Sequence, residues 1–160
     1  MVVYRNLVFA ILLGFSGPAI ADPVATNPSQ TAAITGDPKD ILLAYQGAIE
    51  SLDDSIMLSL FTDDALVFEN GKAEGSFGNY LAHHLSPELK EFESFTFSNA
   101  MIDISVIGEA AFASETYTYT IVLKDGRIIE RQGVATAVLV KRDESWKIAQ
   151  YHSSSRTPKK

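Results

Sequence analysis

The chain has 160 residues, carries 13 lysines and arginines against 20 acidic residues for a formal charge of −7, and contains no cysteine. A surface of that sign repels phosphate backbones, and the basic residues form no run or stripe, which argues against nucleic-acid binding. The missing cysteines exclude thiol catalysis, thiolate metal sites and disulfide staples, so the fold must be held by its core.

Arg5 precedes an apolar run from Leu7 to Phe15, which Gly17-Pro18 breaks. Ala19-Ile20-Ala21 then places small residues three and one positions before a cut ahead of Asp22. This is the layout of a secretory signal peptide. A membrane anchor needs about 20 apolar residues, and this run is shorter. The expectation is a signal peptide over 1–21 and a mature chain that is periplasmic or secreted and leaves the membrane once cleaved. Loss of Arg5 leaves 12 basic against 20 acidic residues, a charge of −8. An exported chain without disulfides suits a bacterial periplasm-like compartment. Residues 22–36 are rich in Pro, Thr, Ala, Asn and Ser and read as a flexible leader. Residues 37–157 have the size of one domain.

Asp37-Pro38-Lys39-Asp40 is a helix start, with Asp as N-cap, Pro at the first helical position and a second acid near the positive end of the dipole. Ile41, Tyr45, Ala48 and Leu52 recur at helical spacing, with Leu42 and Ile49 widening the stripe. Asp53-Asp54 stops this helix and opens a short second one carrying Ile56, Met57, Leu60 and Phe61. Thr62-Asp63-Asp64 reads as a turn, and Leu66-Val67-Phe68 as a short strand ended by Asn70-Gly71. Ser76 caps a third helix on which Phe77, Tyr80, Leu81, His84 and Leu85 share one face. His84 is thereby expected in the middle of the apolar stripe, with His83 on its flank. Ser86-Pro87-Glu88 restarts a short turn or helix.

After Glu93 the period changes to two. Phe95 to Ile107, Ala110 to Leu123, Arg127 to Lys141 and Ser145 to Ser155 are β-branched and aromatic-rich, separated by Gly108-Glu109, Asp125-Gly126 and Asp143-Glu144. Asp-Gly between alternating strands is a strong hairpin signal, because the turn needs positive φ. Helices first and hairpin-linked strands after predict an α+β layout, with the helices on one face of a mostly antiparallel sheet. The other face is left to water or to a partner, and its aromatic and β-branched content predicts a homodimer.

The closing strand, Trp-Lys-Ile-Ala-Gln-Tyr-His-Ser-Ser-Ser, places Trp146, Tyr151, His152 and Ser154 on a pattern similar to the last strand of the calcium/calmodulin-dependent kinase association domain and its SnoaL-like relatives. The stretch from Val67 to Tyr80 resembles the same family's strand, turn and third-helix entry. From about Asp37 to Ser155 the order of elements resembles the nuclear transport factor 2-like superfamily. That resemblance implies a cone-like fold in which a curved sheet wraps three helices. It specifies fold rather than function, since the superfamily hosts isomerases, dehydratases, hydrolases, transport factors and scaffolds. The kinase domain carries an Arg between the final His and Ser, where this chain has Ser153. No base, Tyr and protonated acid of a steroid isomerase can be aligned residue by residue.

Two histidines are candidates for chemistry. His84 reads either as a buried imidazole bonded within the fold or as an anchor or general base at the floor of a cavity, where an ordinary pKa near 6.5 suits proton transfer. His152 reads either as a pocket group or as a polar residue closing the sheet. Strict alternation puts Trp146, Ile148, Gln150, His152 and Ser154 on one face. On the strand before Leu123, Glu115, Tyr117 and Tyr119 share a face, and two phenols and a carboxylate would line a cavity there if that face is concave. Ser153 and Ser154 form no triad with His152, since no acid orients the imidazole. His83, His84 and the distant His152 offer nitrogen ligands and Glu69 or Glu115 oxygen. No zinc-type ligand spacing announces a metal site, however, and no phosphate loop occurs, so neither a metal nor a cofactor is expected. The resulting expectation is a module that binds a small, largely apolar molecule through Tyr45, Glu69, His84, Tyr117, Tyr119 and His152. Two alternatives stand beside it, a cofactor-free enzyme using a histidine acid/base and an oligomeric scaffold without ligand.

Overall fold

The computed structural model describes residues 36–159. The expected signal peptide and all but the end of the expected leader lie outside the described residues. Helix α1 (Pro38–Glu50) starts as its sequence requires, with the Asp37 side chain accepting from Lys39 N at 2.8 Å and Pro38 in the first turn. It buries Ile41, Leu42, Tyr45, Gln46 and Ala48. Leu52 adopts φ 56° and turns the chain out of the helix. Then follow α2 (Met57–Leu60), β1 (Phe61–Glu69), β2 (Lys72–Ser76) and α3 (Phe77–Tyr80). A π-helical turn (Leu81–Leu85) and α4 (Ser86–Leu89) continue α3 without a break. Four long strands complete the chain: β3 (Phe92–Ile107), β4 (Ala110–Leu123), β5 (Ile128–Arg142) and β6 (Ser145–Arg156).

The strands form one open sheet in the order β2-β1-β6-β5-β4-β3. Every neighbouring pair is antiparallel except β1 and β6. The mostly antiparallel α+β architecture matches the expectation, with α1 packed on β3 and β6. Among the described residues no helix is long and apolar enough to cross a membrane.

Two local expectations need correction. Phe61 is not the end of the second helix but the first residue of β1, where its ring stacks on Phe77 at 3.4 Å and meets Tyr45 edge-on at 5.1 Å. Thr62-Asp63-Asp64 is not a turn. These residues lie in an irregular stretch of the β1–β6 ladder, which pairs Phe61 with Ile148 and resumes at Leu66 with Gln150. Asn70-Gly71 does more than end a strand. With φ of 48° and 85° it makes a two-residue hairpin turn into β2, a strand absent from the sequence reading.

Alternation along β4 turns Ala111, Ala113, Glu115 and Tyr117 inward, and Phe112, Ser114 and Thr116 outward. Opposite them β5 offers Leu139, Ala137, Ala135 and Gly133. The core holds Leu42, Met57, Phe77, Leu139 and Ile148. Bulges supply the curvature. One lies in β3 between Ser98 and Met101, where Asn99 takes φ 54°, and another in β6 at Ala149, which sits between the partners of Val138 and Leu139.

Candidate functional site

The concave face, α1 and the end of α3 enclose a cavity of about 110 Å³. One wall is aromatic: Phe92, Phe95 and Phe97 from β3, with Phe95 stacked on Tyr119 at 5.1 Å and Phe97 edge-on to Tyr117 at 5.1 Å. Tyr45, Tyr117 and Tyr151 bring phenols inside, and Tyr45 meets Tyr151 edge-on at 5.3 Å. The Tyr119 hydroxyl donates to Ser155 Oγ at 3.0 Å. Glu69, Glu88 and Asn70 also line the cavity.

Burial raises the pKa of two carboxylates of this region. Burial pushes Glu69 up, opposed by the imidazole of His84, raised again by the charge of Glu88 and lowered by the Tyr80 hydroxyl, which donates to Glu69 Oε2 at 3.3 Å. Burial also pushes Glu115 up, opposed by Gln46, whose Nε2 donates to Glu115 Oε2 at 2.7 Å. Glu115 is only 1% exposed, and among the described residues its other oxygen has no hydrogen-bond partner. Burial likewise raises the phenols of Tyr45, Tyr80, Tyr117 and Tyr151, so they remain protonated donors.

The structure brings Tyr45, Glu69, Tyr117 and Tyr119 to this one cavity. His84 stands beside it rather than in the apolar stripe, with 31% of its side chain exposed. The reason is the π turn, whose wider winding keeps Leu81 and Leu85 buried and rotates His84 toward the acids. There its Nε2 lies 3.5 Å from Glu69 Oε2 and 3.3 Å from Glu88 Oε1, and its Nδ1 3.5 Å from Glu74 Oε1.

His152 is on the other side of the sheet. The bulge at Ala149 splits the set that strict alternation would group, turning Trp146, Ile148 and Tyr151 inward and Gln150 and His152 outward. His152 is exposed, across from Thr136 and 6.3 Å from the Phe68 ring. The two imidazoles therefore do not share a space.

Sequence reasoning missed Tyr80, Tyr151, Glu74 and Glu88 around the cavity. Glu88 was within reach of it, four residues after His84 on a helical run. Glu74 depended on a hairpin that Asn70-Gly71 signals. Tyr151 depended on a bulge with no sequence mark.

Comparison with known structures agrees with this fold. A candidate ketosteroid isomerase of Shewanella frigidimarina shares 22% identity and a TM-score of 0.65, covering 75% of this chain and 97% of its own. A nuclear transport factor 2-like superfamily protein of Salmonella enterica shares 21% identity with a TM-score of 0.64, covering 76% and 88%. A ketosteroid isomerase-like protein of Erwinia carotovora shares 20% with a TM-score of 0.61, covering 75% and 94%. Identities this low establish the cone fold alone. No curated protein matches the sequence. The family model of the SnoaL-like domain matches residues 39–158, three quarters of the chain, and the protein belongs to that family.

Proposed function

We propose that this protein is an exported module that binds a small, largely apolar molecule bearing a hydroxyl or carbonyl group. The observation that carries this reading is the cavity itself, lined by Phe92, Phe95 and Phe97 and by the protonated phenols of Tyr45 and Tyr117. Pockets of this make-up take their affinity from apolar contact and their orientation from a few polar groups. A volume near 110 Å³ suits about one ring, since a dry cavity of about 150 Å³ accepts benzene.

A second reading, cofactor-free acid/base catalysis, is favoured by Glu69. Its carboxyl pKa is raised by burial, and the group faces the cavity and has a histidine beside it. Such a group takes a proton from a bound molecule and returns it to another atom. Export rests on the N-terminal pattern, and pairing of two copies on the outer sheet face, where Met101 is 64%, Phe112 50% and Val134 51% exposed.

The test is thermal unfolding with a panel of phenols and cyclic ketones. Saturable stabilisation, weakened by Tyr117→Phe, is the expected result, because a ligand held at 100 times its Kd adds about 2.7 kcal/mol. No shift with any member, or shifts indifferent to Tyr117→Phe, would reject the pocket. Turnover of a binder, lost in Glu69→Gln, would select the second reading.

A further inference from the structure

We propose that Glu69, His84 and Glu88, with Glu74 behind the imidazole, form a site for one divalent transition-metal ion of zinc-like chemistry at the edge of the cavity. The donors come from three elements: Glu69 from the end of β1, Glu74 from β2, and His84 and Glu88 one helical turn apart across the π turn and α4. Glu69, Glu74 and His84 each present a ligand atom within 4.8 Å of the other two.

Spacing is the first argument. The contacts of Nε2 to Glu69 and Glu88, 3.5 and 3.3 Å, are longer than charge-assisted hydrogen bonds, which run at about 2.7–2.9 Å. Atoms held 2.0–2.2 Å from a tetrahedral ion stand roughly 3.3–3.6 Å apart. The second argument is the direction of the ring. Glu74 lies on the Nδ1 side and Glu69 with Glu88 on the Nε2 side. A carboxylate holding Nδ1–H fixes the tautomer whose Nε2 lone pair points at the other ligands, which is how outer-shell acids support metal-bound histidines.

Charge is the third. Among the described residues Glu69 and Glu88 have no cationic neighbour within ion-pair distance except His84, and Glu74 has Lys72 at 2.8 Å. Three carboxylates against one lysine and one imidazole leave an excess of negative charge even when the ring is protonated. Half-burial of Glu69 makes that excess costly. A divalent ion neutralises it. Imidazole with carboxylates favours zinc or its first-row neighbours over magnesium or calcium, which prefer all-oxygen shells. Two irregularities aim the donors: Glu74 is the extra residue of a bulge between the partners of Val67 and Phe68, and the π turn rotates His84. Three protein ligands leave a position open toward the cavity, where Glu69 and Glu88 are lining residues.

The experiment titrates metal-free protein with Zn²⁺ by calorimetry at neutral pH, with Mg²⁺ and Ca²⁺ in separate runs. The expected result is one equivalent of Zn²⁺, no comparable uptake of the other two, and loss of binding in His84→Ala. Glu74→Gln should weaken affinity about 10- to 100-fold, the usual effect of removing an outer-shell partner. His83→Ala should bind as wild type. Imidazole ¹⁵N shifts during the titration provide a second readout, with Nε2 of His84 moving and Nδ1 keeping its proton. No uptake, uptake undiminished by His84→Ala, or movement of His83 in place of His84 would overturn the site and leave the cluster a set of ion pairs. None of these readouts involves the cavity ligand, so the site and the binding function fail independently.

Discussion

Tyr117 lies across Gly133, its cross-strand partner, so closely that a β-carbon at position 133 would meet Tyr117 Cε2 at 2.3 Å. The glycine is there for the ring. Gly133→Ala should push the phenol out of its place in the cavity wall and destabilise the protein by about 1–3 kcal/mol, the range for overpacking. Urea unfolding should show the loss, and Tyr117→Ala should cost less in the Gly133→Ala background than in wild type, because the clash is then relieved. An alanine variant as stable as wild type, with unchanged ligand response, would contradict the assignment.

Glu115 gives a pH dependence with a definite sign. Burial raises its folded-state pKa above the unfolded value. The group is therefore fully accommodated below the unfolded carboxyl pKa, and stability is lost as pH rises from there through the folded pKa. Glu115→Gln removes that ionisation, while its carbonyl can still accept from Gln46. The stability difference between variant and wild type should move in the variant's favour as pH rises from about 4 toward neutrality. Unfolding midpoints measured across that range test this, and parallel curves would mean that Glu115 titrates as an exposed acid.

His84 holds Glu69 more acidic than its burial alone would make it. His84→Ala should therefore raise the Glu69 pKa further, and His83→Ala should leave it unchanged. Carboxyl ¹³C titration by NMR distinguishes them. Ligand binding should respond to His84→Ala and not to His152→Ala, because His152 lies on the outer face.

Pairing of two copies through the outer face should make Phe112→Asp and Val134→Asp monomerising changes. Phe112 and Val134 are about half exposed on adjacent strands, and a charge there would be buried by a second copy. Light scattering at micromolar concentration should give twice the chain mass for wild type and one chain for the variants. A wild type already monomeric would end the proposal.

Export should yield a mature chain beginning at Asp22. N-terminal sequencing of material from the periplasm or medium checks this, and an intact Met1 in that fraction would show that no cleavage occurs.

Much of the architecture was legible because it depends on neighbours in sequence. Asp37-Pro38 starts α1 by satisfying local donors, Asp125-Gly126 bends a hairpin because its glycine tolerates φ 85°, and alternation along β4 groups Glu115 with Tyr117 on one face, which the fold then turns inward. The site depended on exceptions to those periods. An extra residue at Ala149 turned Tyr151 in and His152 out, another at Glu74 aimed its carboxylate at His84, and a π turn carried His84 out of the stripe that a 3.6-residue period predicts. A bulge or a π turn inserts one residue into a ladder or a helix, and its position is decided by which placement packs the two sides of the fold together. No local sequence signal carries that choice. The periods belong to the chain, and the breaks in them, where the cavity and its acids lie, belong to the tertiary structure.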